Sequence, residues 1–273
     1  MFYTVKPEDE NQKSRYNIEA LARGLDILSL FSAEHPALSL SQIVSSLHLN
    51  KSTVYRVLST LEAMHFLEQD PSTRLYRPGL KVLQLGFTAI SSLEIRQVVH
   101  PQLEQLSQEL GETVSLAVLS GFKTIYVDRI RNQMIVGVIL GIGSSLPAHC
   151  TSLGKVLLAD LPLIELDHLL ETNELAGFTP QTIVSPLALR AELMLARQNG
   201  YAIDNEELAS GLRAASAPIR DISRRAVAAV NVTGTVHRMS LERLNNEIIP
   251  ALLTTTQKIS AALGYLPESY SLS

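Results

Sequence analysis

The sequence predicts an α+β protein with an N-terminal winged helix-turn-helix domain, a linker helix, and a C-terminal domain built on an antiparallel sheet. Three observations support this fold class. The chain has 273 residues, more than a single core usually accommodates. Before residue 80, apolar residues recur at the spacing of amphipathic helices. Beyond residue 112, β-branched runs follow one another in hairpin-like succession, mixed with helical segments.

The composition is that of a soluble globular protein. Hydrophobic residues make up 46% and charged residues 18% of the chain, and the formal net charge is −4. This charge excludes a polycationic nucleic-acid coat but is compatible with a local basic face. The single cysteine, Cys150, excludes an internal disulfide and a cysteine-rich zinc site, and it fits a reducing cytoplasm. Because no apolar run approaches the roughly 20 residues of a membrane span, and no signal-peptide core is present, we expect a cytoplasmic protein without a membrane partner.

Three helices are predicted in the first domain. Residues 1–16 are polar and are expected to form a flexible N-terminus, after which Asn17 is predicted to cap the first helix. Ser39 and Gln42 form a predicted capping box at the start of a short second helix, and Asn50 is predicted to cap the third. The buried positions expected for the first and third helices are Ile18, Leu21, Leu25, Leu28 and Phe31, and Val54, Val57, Leu58 and Leu61.

A hairpin completes this domain. Two short extended runs within Phe66–Gly79 are joined by Asp-Pro-Ser-Thr, which favours a turn. Together these elements predict a winged helix-turn-helix over residues 17–79. The amphipathic stretch 80–94 is predicted to form a linker helix.

The C-terminal domain is predicted to occupy residues 95–268. Pro101 is expected to interrupt and restart the helical pattern there, and Gly111 to end it. Strands are predicted at Thr113–Leu119, Lys123–Ile130, Ile135–Leu140, Tyr201–Asp204, Arg213–Ile219 and Val227–Gly234. Helices are predicted at Thr151–Leu161, Leu187–Asn199 and about Met239–Leu263.

The third helix carries the chemistry of a DNA-recognition helix. Its polar side chains recur at positions i, i+3, i+4 and i+7 and therefore share the face opposite the valine and leucine stripe. An arginine suits bidentate contact with guanine, hydroxyls suit bases or phosphates, and a helix N-terminus suits a phosphate. Two arginines of the hairpin are placed to reach the backbone or a minor groove. The predicted DNA-binding residues are Ser41, Lys51, Ser52, Thr53, Tyr55, Arg56, Ser59, Arg74 and Arg77. A solvated helix face is the alternative interpretation.

Polar residues of the second domain predict a small ligand pocket. Strand alternation places Asn231 and Thr233 on the same side of an otherwise apolar strand, although a solvent-facing strand would show the same pattern. Asp204 ends another strand and adds an acidic group. The free N–H groups expected at the helix start formed by Ser152, Leu153 and Gly154 would favour a carboxylate.

Catalytic and metal chemistry is not predicted. The adjacent pair His149 and Cys150 diverges in either a helix or a strand, so direct pairing is not expected, and the pair is interpreted as part of the pocket rim. The seven histidines show no metal-ligand spacing, and the glycine patterns match neither a phosphate loop nor a dinucleotide fingerprint. We therefore expect no cofactor and no metal. Glu206 and Glu207 are interpreted as a solvated acidic turn.

Several long motifs, in order from about Tyr16 to Leu266, resemble the IclR family of bacterial transcription regulators. They are ARGLDILSLFS, NKSTVYRVLSTLE, YRPGLKVLQLG, LPAHCTSLGKVLLADLP and GYAIDNEELASGLRAASAPIRD. The resemblance implies a GAF-like effector-binding domain behind the winged helix, dimers that often pair into tetramers, and regulation of small-molecule catabolism by repression or activation.

The resemblance also implies an effector site. Family contacts correspond to the N–H groups of Ser152 and Leu153, to Asp204, and to the side chains of Asn231 and Thr233. Where relatives often carry cysteine, this chain has Ala214, which removes a weak donor and leaves more room. The amino-acid sequence of the C-terminal motifs is most similar to that of relatives that sense aromatic acids.

The sequence therefore predicts a transcription regulator, not an enzyme, whose partners are double-stranded operator DNA, a small organic acid, and a second copy of the chain. Two other classes remain open. An enzyme acting on a small carboxylic acid would need a converging nucleophile, base and oxyanion donors, and none is evident. A winged helix can also serve as a protein-interaction module.

Overall fold

The computed structural model describes residues 18–32, 35–91, 94–131 and 140–266. The chain divides into two compact units, Met1–Ala89 and Ile90–Ser273. The predicted N-terminal segment 1–16, the capping residue Asn17 and most of the predicted strand Ile135–Leu140 lie outside the described residues. None of the helices in the described ranges combines the length and apolar character needed to cross a membrane.

The first unit is a helix-turn-helix with a small hairpin. Its elements are α1 (Glu19–Ser29), α2 (Leu40–Leu47), α3 (Lys51–Ala63), β1 (Leu67–Gln69) and β2 (Tyr76–Pro78). The predicted capping box is confirmed, because the Ser39 side chain accepts from the Gln42 N–H while the Gln42 side chain accepts from the Ser39 N–H. The Asn50 cap is also confirmed, since its Oδ1 accepts from the Thr53 N–H at 2.8 Å.

Helix α1 corrects one expectation about burial. Ile18, Leu21 and Leu25 were expected in the core but are 67%, 59% and 56% exposed, whereas Gly24 and Ile27 are buried. Ile18 itself is the capping residue and makes no side-chain cap bond. Periodicity gives two apolar stripes on this helix, and the stripe that contains Gly24 and Ile27 is the one that packs into the core of the unit.

The underside of α3 forms the core of the first unit. Val54 and Leu58 are fully buried, together with Ile43 of α2, as predicted for the first two. In the hairpin, β1 and β2 pair antiparallel. The Asp70 carboxylate accepts from the N–H groups of Ser72 and Thr73, so the predicted turn is closed by the expected aspartate.

Two helices follow the hairpin: α4 (Leu80–Ser91), in which the division between the two units falls, and α5 (Glu94–Leu110). The prediction for Pro101 was wrong, because the helix continues through it. A proline inside a helix costs about 3 kcal/mol, and burial of α5 side chains such as Val99 and Leu103 offsets that cost. Gly111 ends the helix as predicted, with φ +65°.

The second unit is built on a six-stranded, fully antiparallel sheet. Its strands are β3 (Thr113–Ser120), β4 (Lys123–Ile130), β5 (Ser145–Pro147), β6 (Ala202–Asn205), β7 (Leu212–Arg220) and β8 (Ala226–Thr235), in the order β5-β4-β3-β8-β7-β6. The helices are α6 (Ser152–Ala159), α7 (Leu163–Thr172), α8 (Pro186–Asn199), α9 (Leu241–Arg243) and α10 (Ile249–Ala262), with a π-helical segment (Leu244–Ile248) before α10. Strand β5 and helix α7 were not predicted.

Each face of the sheet supports a separate core. Helices α5 and α10 cover one face, where Leu116, Val230 and Val232 are fully buried. Helices α6 and α8 pack on the other face, which includes Ala117 and Ala229, and α7 contributes Leu166 and Leu170 to the same core. Polar residues of β3 and β8 also belong to this second face because side chains alternate along a strand.

A one-residue register shift in β4 decides which of its side chains reach the second face. Ser115 pairs with Arg129, but Ala117 pairs with Tyr126 instead of the residue that regular pairing would require. Tyr126 and Arg129 therefore both lie on the second face, although strict alternation would separate them. Asp128 lies on the opposite face, where it accepts from Arg96 and bonds to His100 of α5.

Candidate nucleic-acid interface and ligand cavity

Helix α3 presents the predicted polar face to solvent. Lys51, Ser52 and Arg56 are exposed, Tyr55 is 56% exposed, and Thr53 and Ser59 are half-buried. The fully buried Val54 and Leu58 support this face from below. The arrangement is that of a helix free to enter a groove of duplex DNA.

The basic side chains near α3 differ in their availability. No carboxylate among the described residues pairs with Lys51, Arg56 or Arg74. Arg77 is paired with Glu68 of the neighbouring strand at 3.1 Å and would have to exchange this partner for a phosphate. Arg74 is exposed in the hairpin turn with φ +60°. Ser41 on α2 is exposed as well.

The groove between α1 and α3 contains several of the same residues. Thr53, Tyr55, Arg56 and Ser59 border it from α3, and the exposed Leu21 borders it from α1. Part of the predicted DNA-binding face is therefore continuous with an apolar surface on α1.

The second unit contains a small polar cavity of about 50 Å³ between the sheet and the start of α6. Its lining consists of Ser115, Tyr126, Arg129, Leu140, Thr151, Ser152, Asp204, Leu208, Leu212, Arg213, Ala214, Asn231 and Thr233.

Five of the seven predicted effector residues line this cavity. They are Ser152, Asp204, Ala214, Asn231 and Thr233. The Asn231 amide donates to the Thr233 hydroxyl at 2.7 Å, and Asn231 is only 4% exposed, so the alternative of a solvent-facing strand is wrong. The Ser152 hydroxyl accepts from Ser216 of β7 at 2.7 Å, which ties the start of α6 to the sheet.

Leu153 and Gly154 do not line the cavity. The Leu153 side chain is fully buried in the apolar core. The Gly154 N–H donates to the Thr151 hydroxyl at 3.1 Å, so it is not one of the free N–H groups that the sequence suggested. The physical reason is that Thr151 acts as the N-cap of α6 and takes that donor itself.

Five polar lining residues escaped the sequence prediction. They are Ser115, Tyr126, Arg129, Thr151 and Arg213. Tyr126, Arg129 and Arg213 carry no local signal beyond strand periodicity, and the shift in β4 makes that signal misleading for Arg129. Burial lowers the pKa of Arg129 and raises the pKa of Tyr126 to about 12. Arginine nevertheless stays protonated in proteins, so the cavity retains a positive charge.

Asp204 is the acidic group of the cavity. It is 6% exposed, and its Oδ1 accepts from the N–H groups of Glu207 at 2.8 Å and Leu208 at 3.4 Å. Burial raises the pKa of Asp204 to about 7, despite these bonds and the nearby Lys155 cation, which lower it. Asp204 therefore changes charge near neutral pH.

This pKa predicts how stability responds to pH. Because the folded-state pKa lies above the unfolded value, folding takes up a proton between about pH 4 and 7, and the free energy of unfolding falls as pH rises through that window. At about 1.4 kcal/mol per pKa unit, the total loss is on the order of 4 kcal/mol. We expect Asp204→Asn to remove most of this decline, because the amide keeps the acceptor without the charge. Urea denaturation at pH 5 and pH 8 measures the decline in the free energy of unfolding. Glu171→Gln, at an exposed site, is the control. Identical pH slopes in wild type and Asp204→Asn would contradict the assignment.

Lys155 of α6 forms a buried ion cluster next to Asp204. The lysine side chain is 1% exposed, and its Nζ lies 2.6 Å from Glu207 Oε1 and 3.0 Å from Glu192 Oε1. The prediction of a solvated acidic turn was therefore wrong for Glu207. Glu206 is also engaged, since its Oε2 accepts from the Gly211 N–H at 2.8 Å. The lysine partner lies 52 residues away in sequence, so local reasoning could not find it.

His149 and Cys150 are buried and do not line the cavity, so their interpretation as its rim was wrong. The His149 ring stacks on Phe122 with centroids 5.9 Å apart, and its Nε2 bonds to the Ala176 carbonyl. Burial raises the pKa of the Cys150 thiol to about 12, the opposite of what activates a cysteine nucleophile. Within the described ranges, no group of three or more histidine, cysteine or acidic side chains is arranged to hold a metal ion.

Comparison with known proteins matches both units to one family. Residues 20–71 match the IclR helix-turn-helix domain, and residues 87–261 match the C-terminal domain of bacterial IclR transcriptional regulators. The chain is 34% identical over 248 residues to the HTH-type transcriptional regulator XynR of Escherichia coli, covering 91% of this chain and 98% of that protein.

Solved structures give the same result. A putative transcriptional regulator from Rhodococcus sp. RHA1 is 35% identical, with a TM-score of 0.75, over 91% of this chain and 99% of the other. An IclR homologue from Microbacterium hydrocarbonoxydans, complexed with 4-hydroxybenzoate, is 25% identical, with a TM-score of 0.74, over 90% of this chain and 99% of the other. These matches assign the chain to DNA-binding regulators and not to enzymes. The chain belongs to the IclR family of bacterial transcription regulators.

Proposed function

We propose that the chain controls an operon of small-molecule catabolism and that a small organic acid, bound in the C-terminal cavity, controls its affinity for operator DNA. The observation that carries the proposal is a buried cavity with polar and cationic lining in the unit that does not contain the helix-turn-helix. The relative solved with 4-hydroxybenzoate supports an aromatic acid as one candidate. In this proposal residues 17–79 bind DNA, 80–94 link, and 95–268 bind the effector.

DNA binding is assigned to the exposed surface around α3. Arg56 is proposed to contact a base edge, and Lys51 a phosphate at the helix N-terminus. The hydroxyl groups and Tyr55 contribute the remaining contacts of the helix. Arg74 and Arg77 are proposed to reach the DNA backbone from the hairpin, and Ser41 from α2.

Tight operator binding requires a second copy of the chain. Because basic and acidic residues of the DNA-binding domain nearly balance, its non-specific affinity for DNA is low. Two α3 helices in successive major grooves, roughly 34 Å apart, would supply the additional affinity for the operator. Exposed leucines on α1 and α4, such as Leu21, Leu25, Leu80 and Leu83, offer apolar area for a homodimer, and a dimer of dimers is proposed beyond it. Sedimentation of the full chain measures this, and a monomer at concentrations that saturate the operator would contradict it.

Arg56→Ala is expected to lower specific operator affinity by about 1–3 kcal/mol for each half-site, roughly 5- to 150-fold, because a bidentate contact with a base is lost. An electrophoretic shift titration at fixed salt measures the loss. Arg197→Ala, which removes an exposed arginine from the C-terminal unit, is the matched control and should leave affinity unchanged. Equal affinity of Arg56→Ala and wild type would exclude Arg56 from base recognition.

The effector half of the proposal is tested separately from the DNA half. A ligand that binds the folded state raises its apparent stability, so a thermal-shift screen of small aliphatic and aromatic acids should identify binders. A binder should also change operator affinity in the shift assay. An acid that stabilises the chain without altering operator affinity would contradict its role as an effector.

A further inference from the structure

Two buried polar atoms of the side chains that line the cavity lack a hydrogen-bond partner in the described part of the chain. Among the described residues, no group hydrogen-bonds to Nε of Arg129 or to Oδ1 of Asn231. One atom is a donor and the other an acceptor, and both belong to side chains that line the cavity. Buried polar groups are nearly always satisfied in native proteins, so an unpaired donor and acceptor beside a cavity indicate what a ligand must supply.

The sheet places these two side chains in one row. Arg129 of β4 pairs with Ser115 of β3, and Ser115 in turn pairs with Asn231 of β8. The Arg129 and Asn231 backbones are therefore two strand spacings apart, roughly 10 Å, on the same face of the sheet. Both side chains line the same cavity, so one ligand in it can contact both.

The positive charge of Arg129 is not neutralised within the described part of the chain. Its Nη1 donates to the Leu140 carbonyl at 3.1 Å, a neutral partner, and no described carboxylate forms an ion pair with it. The acidic lining residue, Asp204, has its Oδ1 occupied by the N–H groups of Glu207 and Leu208. Three strands lie between β4, which carries Arg129, and β6, which carries Asp204, so this carboxylate is not placed to neutralise the arginine.

The second arginine of the lining behaves differently. Arg213 donates to Asn205 Oδ1 at 2.7 Å and to the Met239 carbonyl at 2.6 Å, so its guanidinium is already held. The start of α6 is also a weaker anion site than the sequence suggested, since Thr151 occupies the Gly154 N–H. Arg129 differs in that its buried Nε has no partner among the described residues, so it has donor capacity left for an anion.

We infer that the effector is a hydroxy acid whose carboxylate is bound by Arg129 and whose hydroxyl donates to Oδ1 of Asn231. The inference rests on the proposed function, in that it takes this cavity to be the effector site. In this inference Arg129 on β4 selects for the negative charge of the ligand. Ser115, which lies between Arg129 and Asn231, provides a further hydroxyl group. An acid without the hydroxyl leaves Asn231 unsatisfied, and a hydroxy amide leaves Arg129 without an anion.

The test compares matched ligands on the full chain. Glycolate, lactate and 4-hydroxybenzoate are titrated calorimetrically against acetate, propionate and benzoate, which lack the hydroxyl, and against the corresponding hydroxy amides, which lack the charge. For wild type we expect at least one hydroxy acid to bind at least tenfold more tightly than both of its counterparts. Binding by none of the acids would overturn the proposed effector function and this inference together.

Variants then separate the inference from the proposed function. Arg129→Met should weaken the hydroxy acid about 10- to 100-fold and abolish the preference for acid over amide. Arg131→Met is the matched control, because Arg131 donates to the same Leu140 carbonyl at 2.8 Å but does not line the cavity. This variant should change neither the affinity for the hydroxy acid nor the preference for acid over amide. Arg129→Lys should lower the affinity for the hydroxy acid yet retain the preference for acid over amide. This variant tests the inference even if Arg129→Met folds poorly. Asn231→Leu should abolish only the preference for the hydroxyl.

Undiminished acid affinity and acid preference in Arg129→Met would overturn the inference while leaving an effector site in place. Loss of both quantities in Arg131→Met as well would also overturn it, because the effect would then come from the Leu140 carbonyl. Circular dichroism and effector-free operator binding establish that each variant is folded.

Discussion

Lys155→Met is expected to lower the free energy of unfolding of the C-terminal unit by about 3–5 kcal/mol, because it leaves the buried Glu207 and the partly exposed Glu192 without their counterion. The lysine bridges Glu207 and Glu192 at 2.6 and 3.0 Å, and the Glu207 side chain is only 8% exposed. Methionine keeps the length of the side chain, so the loss reports the charge and not a cavity. Calorimetry of the full chain should show a fall in Tm of roughly 10 °C for the transition of this unit.

Two controls define what this loss means. Lys123→Met removes an exposed lysine at the start of β4 and should change Tm little. Replacing the whole cluster, with Lys155→Met, Glu192→Gln and Glu207→Gln together, should recover most of the stability, since the uncompensated charges are gone. A single Lys155→Met variant as stable as wild type would show that the two glutamates accommodate its absence.

Gly154→Ala is expected to destabilise the same unit by about 3 kcal/mol or more through overpacking. A Cβ at this position would lie 2.0 Å from the carbonyl oxygen of Ala148 and 2.3 Å from its Cα. These are backbone atoms, so a side-chain rotation cannot relieve the clash, and α6 must move away from the preceding loop. The intrinsic gain of alanine over glycine in a helix, about 1 kcal/mol, is too small to compensate.

Gly86→Ala is the matched control for this substitution. Gly86 also lies in a helix, α4, but no atom of the described residues lies within 4 Å of a Cβ built there. This variant should be neutral or stabilising by up to about 1 kcal/mol. Guanidinium denaturation of both variants measures the difference. A Gly154→Ala variant that matches Gly86→Ala would mean that the Ala148 backbone yields easily.

Both predictions concern α6, whose first turn borders the cavity through Thr151 and Ser152. The close approach at Gly154 sets the position of this turn, and the Lys155 cluster ties it to the turn after β6 through Glu207, whose N–H donates to Asp204 at the end of β6. We therefore expect variants that loosen α6 to lose effector affinity before they affect operator binding. Gly154 thus contributes to the site by packing, although the sequence suggested that it binds the ligand directly.

Local sequence signals located most of the elements. The caps at Ser39 and Asn50, the Asp70 turn, the glycines that end helices, and the β-branched runs each act within a few residues, so they could be identified without the rest of the chain. The same holds for the exposed face of α3, because its aliphatic stripe fixes which side is free. Short elements such as β5 were missed because their few residues carry too little periodicity to act as a local signal.

The sequence by itself therefore determined the family, the order of the main elements, and five of the cavity residues, because helical and strand periodicity and long motifs are carried by neighbouring residues. Only the tertiary structure decided which stripe of α1 is buried, that Glu207 meets Lys155 within the core, and that Gly154 serves packing. It also decided that Arg129 lines the cavity, since a one-residue register shift against β3 reverses the face that alternation assigns. These outcomes depend on contacts between residues far apart in the chain, and no local pattern encodes them.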